Sequence, residues 1–378
     1  MNFQLKKLPL HMFLKELSLH QFKNIEEAAL SFSPTLNFIY GQNGAGKTNI
    51  LDAIHYLSLT KSFINTTDTE NIRNNEGFFR IYGKYSNTES YEEFSCVVNR
   101  EGRKHFKHFT KEYSRLADHI GKLPIVVISP FDHFIITEGS EYRRKLLDST
   151  ISQYDKIYLG YLYDYNRILK QRNALLKSEQ PEYAKLEMLE IMNVQLDKPA
   201  NYIFKARYEF IEGIKELFNR YYLQIANRNN ELAELEYRSS LIDNEFHLLL
   251  KDNLKKDLIA ETTTSGIHKD DVLFLLNKKN IRYFASQGQQ KTFLTALKLS
   301  ILDYLKHFNA KPILLLDDIF DKLDDHRVLN LLKTVVSEHI QVFITHTNIV
   351  HIEKLNLLNL SESCIFEIEN GKITTHEP

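Results

Sequence analysis

The chain has 378 residues, of which 43% are hydrophobic and 12% aromatic, enough for packed cores. This length exceeds the roughly 250–300 residues that one core usually holds, so we expect two domains or lobes. The 48 basic and 49 acidic residues give a net charge of −1, which neither favours nor excludes a nucleic-acid partner. No apolar run approaches about 18 residues, so we expect no helix that spans a membrane.

Cysteine usage and the start of the chain indicate the compartment. Cys96 and Cys364 are far apart and lack the spacing of a metal or disulfide motif. Residues 1–11 are a poor match to an export signal, and Met12 is an alternative start that would make them an extension. These features predict a reduced, cytoplasmic protein.

The first part of the chain predicts strands around one helix. Leu14 to Phe22 alternates apolar and polar residues, as a half-buried strand does. Leu36 to Tyr40 predicts a second strand that ends at a glycine-rich loop, and residues 49–59 carry apolar side chains at helical spacing. Further strands are expected at 79–85 and 93–99, in a β-rich lobe, and at 125–128.

The glycine-rich loop matches the pattern G-x-x-x-x-G-K-[ST] between a strand and a helix, the context that this phosphate-binding motif requires. Glycines let the backbone turn its N–H groups toward phosphate oxygens, and the helix N-terminus adds a positive dipole. We predict that Lys47 reaches the β- and γ-phosphates and that Thr48 binds Mg²⁺. The predicted nucleotide-binding residues here are Gly41, Gln42, Asn43, Gly44, Ala45, Gly46, Lys47, Thr48 and Asn49.

A helical region follows from residue 141 to about residue 230. Helix formers dominate it, and an apolar stripe at steps of three and four runs through residues 202–221. Pro181 and Pro199 are expected to divide it into about three helices. Because the segments are short and interrupted by proline, a coiled coil is the weaker alternative.

Mixed β/α character returns after about residue 261. Residues 272–276 and 281–283 suggest a hairpin around the turn at 278–280. A helix is expected over 290–306. The remaining predicted strands are 312–316, 342–345 and 364–369.

The strand ending in Asp317 and Asp318 carries the second part of the expected chemistry. A buried parallel strand delivers its last residues to the sheet edge where ligands bind. We predict that Asp317 holds Mg²⁺ and that Asp318 orients or deprotonates the attacking water. Apolar strands often end in Asp, so the glycine-rich loop is what makes this interpretation specific.

The segment Ser286-Gln287-Gly288-Gln289-Gln290 opens the predicted helix and is called here the signature turn. Ser286 is a natural N-cap, and Gly288 permits close approach of the backbone to a phosphate. In isolation an ordinary capped helix explains it equally well. Ser286, Gly288 and Gln289 complete the predicted nucleotide-binding residues.

Together these motifs resemble the ABC-type ATPase heads of the SMC family, in which the signature turn of one subunit closes over ATP held by another. The resemblance implies an α/β fold: an ABC-type P-loop ATPase head, with a mixed sheet and a β-rich lobe, plus an inserted α-helical domain. The head would be discontinuous, residues 1–134 and 250–378, and the lever-arm-like insert would be residues 135–249. Residues 321–324 fall where the family has its D-loop. His346 falls where it has a residue that senses the γ-phosphate; a surface histidine is the alternative.

Further blocks resemble the RecF family of bacterial recombination mediators, from Phe13 to about Thr347. The resemblance implies ATP and Mg²⁺ as cofactors, ATP-dependent homodimerisation, binding to duplex DNA near single-strand gaps, and slow hydrolysis for release. It also implies work with RecR, and indirectly with RecO and RecA, in loading recombinase. The blocks are residues 36–51, 129–132, 143–148, 165–177, 266–271 and 285–291.

The chain departs from the family pattern at several positions. Residues 267–269 read Ile-His-Lys where Pro-His-Arg is usual, and Ile64 stands where an arginine is usual. Asp318 is shorter than the glutamate of most ABC heads, which predicts slow turnover. No Q-loop glutamine occurs before the helical region, leaving Ser129 or Asp132 as the candidates for its role.

Clusters of cations predict where DNA binds. Segment 100–111 is rich in Lys and Arg interleaved with Phe, and a hairpin there would present several cations on one face. Other clusters open the helical region and lie within it, although a solvated charged face is the alternative for each. Nothing resembles base readout, so we expect sequence-independent, salt-dependent binding. The predicted DNA-binding residues are Arg103, Lys104, Lys107, Arg143, Arg144 and Arg172.

Other classes of protein share the P-loop. A transporter ATPase would not need the long basic insert. An SMC protein needs hundreds of heptad-patterned residues between its halves, far more than this chain has. A small-molecule kinase would not need the signature turn.

Overall fold

The computed structural model describes residues 12–87, 90–226, 231–308, 311–321, 325, 328, 329, 332, 340–350 and 362–376. The chain forms two compact units. The first comprises residues 1–132 and 294–378, and the second comprises residues 133–293. The second unit therefore ends at residue 293, not at residue 249 as predicted from the sequence. It extends further because a strand at 271–276 pairs with one at 233–238.

The first unit opens with a series of strands and one long helix. A glycine-rich loop joins the third strand to this helix, as predicted. The elements are β1 (Phe13–Phe22), β2 (Ile25–Ser31), β3 (Leu36–Tyr40), α1 (Lys47–Leu59), β4 (Phe78–Ser86), β5 (Tyr91–Asn99), β6 (Lys104–His108), β7 (Lys111–Glu112) and β8 (Ile125–Ile128). Short 3-10 turns occupy Asp68–Asn71, Leu116–Asp118 and Pro130–Asp132.

The second unit is mostly helical and contains a small antiparallel sheet in the order β11-β10-β9. Its elements are α2 (His133–Thr137), α3 (Ser140–Ile151), α4 (Lys156–Leu176), α5 (Glu182–Ala226), β9 (Ala233–Arg238), α6 (Phe246–Asp252), α7 (Leu254–Ala260), a 3-10 turn at Ile267–Lys269, β10 (Asp271–Leu276), β11 (Lys279–Asn280) and α8 (Ile281–Phe284). The junction with the first unit falls within α9 (Gln287–Lys306).

The first unit closes with four strands, which match the strands predicted from the sequence and add one at the end. They are β12 (Ile313–Leu316), β13 (Val342–His346), β14 (Ser363–Glu369) and β15 (Lys372–His376), with a 3-10 turn at Ile319–Asp321. Among the described residues no helix is long and apolar enough to cross a membrane.

Two sheets form the first unit. One is antiparallel, in the order β2-β1-β4-β5-β6-β7, and is the predicted β-rich lobe. The other, β15-β14-β3-β13-β12-β8, pairs β14, β3, β13, β12 and β8 in parallel. Apolar residues of α1 and of both sheets share one buried core. Burial on both faces explains why β12 reads as an uninterrupted apolar run.

The parallel register places several strand ends at one sheet edge. His346 pairs with Tyr40, and Leu316 pairs with both Ile344 and Ile128. The loops that follow β3, β12, β13 and β8 therefore start side by side. This is the edge at which open α/β sheets bind ligands.

Two local predictions in the second unit are wrong. Pro199 does not end a helix, since α5 runs from Glu182 to Ala226 with Pro199 buried inside it. The packing of α5 on α4 outweighs the one hydrogen bond that the ring removes. Residues 281–283 form helix α8 instead of a strand, because the hairpin turns earlier, at Asn277 and Lys278, both with positive φ.

Candidate functional site

The glycine-rich loop has a backbone shape that its glycines allow. Gly41 and Gly46 have φ of 155° and 117°. A Cβ on Gly41 would lie 2.2 Å from the carbonyl oxygen of Ile368, so no other residue fits there without displacing β14. Residues 42–44 are exposed at the tip of the loop.

Lys47 begins α1 and turns back over the loop. Its Nζ donates to the carbonyl oxygens of Gly41 at 2.8 Å and Gln42 at 3.1 Å. The residue is only 5% exposed, so its ammonium is held in place by these two oxygens. A phosphate group that reached the loop would find a positioned cation there.

The predicted metal ligands meet. The Thr48 hydroxyl lies 3.0 and 3.2 Å from the two carboxylate oxygens of Asp317, although 269 positions separate them in the sequence. A hydroxyl beside a carboxylate is a suitable pair of oxygen ligands for Mg²⁺ in a phosphate site. The residues present therefore fit a Mg²⁺–nucleotide complex.

Thr345 joins the two acids, a role that sequence reasoning missed. Its hydroxyl donates to Asp317 Oδ1 at 2.7 Å and accepts the backbone N–H of Asp318 at 2.9 Å. Asp318 itself has φ 47°, a conformation uncommon outside glycine, and the Thr345 bond supports it. We name residues 41–48 with Asp317, Asp318 and Thr345 the P-loop edge.

Asn24 supports the loop from behind and was also missed. Its side chain donates to the Ala45 carbonyl at 2.8 Å and accepts from the Asn49 side chain at 2.7 Å. Gly371, with φ 79°, donates its N–H to the same Ala45 carbonyl at 3.0 Å. These contacts link sheet, loop and helix, and no sequence motif announces them.

The two candidates for the Q-loop role lie just after β8 and contact each other. Asp132 accepts the backbone N–H of Ser129 at 2.8 Å and pairs with the Lys298 ammonium at 3.0 Å. Both Asp132 and Lys298 are largely buried. In this arrangement the carboxylate is committed to a structural ion pair.

His346 ends β13 beside the loop. Its carbonyl oxygen accepts the N–H of Gly41 at 3.2 Å, and its ring lies 4.5 Å from the ring of Phe320. The residue is largely buried, which contradicts the alternative of a surface histidine. The D-loop residues predicted at 322–324 lie outside the described residues.

The signature turn lies in the second unit, which extends to Phe293. The turn forms a capping box. Ser286 Oγ accepts the N–H of Gln289 at 3.2 Å, and Gln289 Oε1 accepts the N–H of Ser286 at 2.8 Å. The Gln289 amide also donates to Glu231 at 3.0 Å. Gly288 has an open surface, with no atom closer than 3.9 Å to a Cβ built there. The turn is thus held by its own side chains, and Ser286, Gln287 and Gly288 are exposed.

The predicted cationic face of the 100–111 hairpin is formed by fewer cations than expected. Alternation on β6 sends Lys104 and Lys107 to opposite faces. Lys104 pairs with Asp68 at 2.6 Å and donates to the Thr60 carbonyl, so it serves the fold. Lys107 is exposed, and Arg103 is exposed beside Glu101, 3.1 Å away.

Arg143 and Arg144 on α3 hold the second unit together. Arg143 pairs with Asp271 through Nε at 2.6 Å and donates to two carbonyl oxygens. Arg144 donates to the Asp270 carbonyl at 2.7 Å. Both are therefore bound within the unit, so the structure does not favour their prediction as phosphate contacts.

The prediction that Arg172 binds DNA is contradicted more clearly, because its side chain is completely buried. It pairs with Asp257 at 2.8 Å and bonds to Asn193 and Thr263. Asn173, its neighbour, accepts from the N–H and hydroxyl of Thr263. The Gln-Arg-Asn block is thus a structural element of the interior, and no phosphate can reach Arg172 as it is placed.

Arg207 on α5 makes a further set of buried contacts, and no motif pointed to it. It pairs with Asp148 at 2.8 Å and Asp270 at 3.3 Å and donates to the Ile267 carbonyl at 2.8 Å. Burial raises the pKa of Asp270, and the Arg207 charge opposes that shift. We name the arginines with their acidic partners the buried ion-pair network: Arg143, Arg144, Arg172, Arg207, Asp148, Asp257, Asp270 and Asp271.

His268 lies beside this network. Its Nε2 is 2.9 Å from the Thr263 carbonyl oxygen, which can only accept, so Nε2 carries the proton and Nδ1 accepts from the Tyr165 hydroxyl at 2.8 Å. Burial lowers the pKa of His268 to about 4. The neutral ring therefore fixes the turn before β10.

Known proteins match the chain over nearly its full length. A family model described as an AAA domain matches residues 16–269. The DNA replication and repair protein RecF of Phocaeicola vulgatus is 42% identical over 96% of this chain and 98% of its own length. That of Bacteroides fragilis is 42% identical over 97% and 99%.

Solved structures give the same picture. The recombination mediator protein RecF with ATP, of the RecFOR pathway, superimposes with a TM-score of 0.87 at 31% identity, covering 98% of this chain and 100% of that one. An Smc head domain from Pyrococcus furiosus shares the fold, with a TM-score of 0.56 at 18% identity over 97% of this chain and 96% of that one.

The fold is therefore that of a P-loop ATPase head, as predicted, and it is shared with the solved RecF and Smc head structures. Within that class the identity to curated relatives decides the family. The chain belongs to the RecF family of DNA replication and repair proteins, which confirms the resemblance found in its sequence blocks.

Proposed function

We propose that this protein is an ATP-driven DNA switch: two copies bind ATP, dimerise on duplex DNA near single-strand gaps, and release it after slow hydrolysis. The observation that carries the proposal is the meeting of Thr48 and Asp317, 3.0 Å apart, beside the held ammonium of Lys47. A RecF relative has been solved with ATP. The expected cofactors are ATP and Mg²⁺.

Each residue of the P-loop edge has a part in this proposal. Lys47 would exchange its two carbonyl acceptors for the β- and γ-phosphates, and Thr48 and Asp317 would hold Mg²⁺, which neutralises developing phosphate charge. Asp318, presented by Thr345, would orient or deprotonate the attacking water. His346 would sense the γ-phosphate. Ser286, Gly288 and Gln289 of the signature turn would complete the site of a second copy.

The DNA surface is proposed on fewer residues than the sequence suggested. Arg103 and Lys107 are exposed on or beside β6, where they can meet phosphates. Binding would be independent of base sequence and sensitive to salt. Because solved RecF relatives belong to the RecFOR pathway, we propose RecR as direct partner and RecO and RecA as indirect ones, in the cytoplasm.

Gel filtration with a gapped duplex tests the proposal. Wild-type protein with ATP and Mg²⁺ is expected to elute as a dimer on DNA, whereas Lys47→Met and Ser286→Arg stay monomeric. Lys61→Met, an exposed lysine outside the loop, is the matched control. Dimerisation of both Lys47→Met and Ser286→Arg on DNA would disprove the composite ATP site.

A further inference from the structure

We propose that an exposed cation–aromatic cluster next to the signature turn packs against the nucleotide-loaded P-loop edge of a second copy of this chain. The cluster consists of Lys279, Arg282, Tyr283 and Phe284. It would supply cations for the anionic edge and aromatic surface that displaces water. The inference rests on the proposed ATP-dependent dimer and names a surface that holds it.

The cluster sits on a rigid support. Asn280 Oδ1 accepts the N–H of Arg282 at 2.9 Å and so caps α8, and Ile281 is buried beneath it. The Gln290 side chain lies 3.3 and 3.4 Å from the carbonyl oxygens of Ile281 and Ala285. The helix carrying the rings is thus bonded to the helix carrying the signature turn, so the two present one surface.

The two rings are the clearest sign of a docking surface. Tyr283 is 72% exposed and Phe284 is 68% exposed, which is unusual for adjacent aromatic residues. Lys279 lies over the Phe284 ring at 5.4 Å, and Arg282 lies over the Tyr283 ring at 5.6 Å. Aromatic residues and arginine are enriched at protein–protein interfaces, and the two cations add positive charge to this surface.

The charge of the segment selects an anionic partner. Between Asp271 and Asp303 the sequence contains no acidic residue. The cations of this interval are Lys278, Lys279, Arg282, Lys291 and Lys298. Glu231, the acid that bonds to the signature turn, is held by Gln289 and the Tyr222 hydroxyl. A P-loop edge with Asp317, Asp318 and a triphosphate complements this charge.

Chain connectivity selects the second copy over other anionic partners. Phe284 and Ser286 are two residues apart, so their Cα atoms are at most about 7–8 Å from each other. If the signature turn touches a nucleotide on another copy, side chains this close and this exposed lie within the same contact. The exposed loop tip at residues 42–44 of that copy is the surface they would meet.

Sedimentation velocity with ATPγS and Mg²⁺, without DNA, tests the inference on the full chain. Two double variants remove the charges or the rings: Lys279→Glu with Arg282→Glu, and Tyr283→Ser with Phe284→Ser. We expect each to weaken dimerisation at least tenfold while nucleotide affinity of the monomer, measured by equilibrium dialysis, stays within about twofold of wild type. Lys255→Glu with Lys256→Glu, and Tyr163→Ser, are exposed controls in the same unit and should dimerise normally.

The outcomes separate this inference from the proposed function. If wild type dimerises and Ser286→Arg does not, but both double variants dimerise normally, the composite site stands and the cluster has no part in it. If the double variants dimerise normally but lose DNA affinity, the cluster is a DNA site and the inference is wrong. If wild type stays monomeric with ATPγS, the assay is repeated with a gapped duplex, and a wild type that is monomeric there as well means that the proposed function itself fails. Unchanged melting temperatures of the variants exclude misfolding.

Discussion

The P-loop edge and the buried ion-pair network both depend on charged side chains, yet they use charge in opposite ways. At the P-loop edge, Lys47 and Asp317 are held by weak, exchangeable partners: two backbone carbonyls and two hydroxyls. In the network, Arg172 and Arg207 are buried and matched by carboxylates. Charges that must meet a ligand are left replaceable, whereas Arg172 and Arg207, which hold the fold, are paired with buried or partly buried carboxylates.

This difference predicts opposite consequences of mutation. Removing one partner of a buried pair leaves an uncompensated charge, which costs stability. Removing a side chain at the P-loop edge should leave the fold nearly intact and change its chemistry. Substitutions at four positions test that division, from the largest expected effect to the smallest.

Replacing Arg207 by leucine should lower the free energy of unfolding by about 3–5 kcal/mol, because Asp148 and Asp270 would lose their common cation. Urea unfolding followed by circular dichroism measures this, since the chain has no tryptophan. Lys205→Leu, an exposed site two residues away on α5, should change it by less than about 0.5 kcal/mol. A loss below 1 kcal/mol for Arg207→Leu would show that the network contributes little.

His268 should make the second unit sensitive to acid. Its pKa is lowered to about 4 in the folded chain, against about 6.5 when unfolded. The neutral ring therefore contributes stability that is complete above about pH 6.5 and is lost as the pH falls toward 4. Between pH 7 and pH 5 the free energy of unfolding of His268→Gln should fall by about 1–2 kcal/mol less than that of wild type. Urea unfolding at the two pH values measures this.

Thr345→Val should slow ATP turnover about tenfold, which corresponds to an activation free energy higher by about 1.4 kcal/mol. Nucleotide affinity should change little. The isosteric change removes the hydroxyl that bonds both Asp317 and the Asp318 N–H, so the acids lose their orientation. A steady-state phosphate-release assay measures it. The exposed Thr347→Val is the matched control. Equal turnover in the two variants would remove Thr345 from the machinery.

Sequence reasoning succeeded where function follows from contiguous motifs at strand ends. The glycine-rich loop was located because it carries its own context, a strand before it and a helix after it, and Asp317 was located because that loop made the end of its strand specific. Thr345 was missed because its role depends on the register between β12 and β13, and this register cannot be determined from a single sequence.

The network was misread for a related reason. The local sequence around a helical arginine or lysine is the same whether the side chain faces water or pairs with an acidic residue far along the chain. Arg172 finds Asp257 85 residues later, and Arg143 finds Asp271 128 residues later. The paired acids lie in the 266–271 block and its surroundings, so matching basic blocks with acidic ones would have suggested the pairing.

Lys107 provides the smallest and most discriminating test, because it separates surface cations from structural ones on one strand. Lys107→Glu should weaken binding to duplex DNA by about two- to fivefold at low salt and reduce the salt dependence of binding by about one counterion, since one exposed phosphate contact is lost. Lys104→Glu, three residues earlier, should instead lower the free energy of unfolding, since it breaks the pair with Asp68. Fluorescence anisotropy with labelled duplex at several salt concentrations, beside urea unfolding, measures both. If the two variants affected DNA and stability in the reverse order, the division between replaceable and structural charge would not hold even across one β-strand.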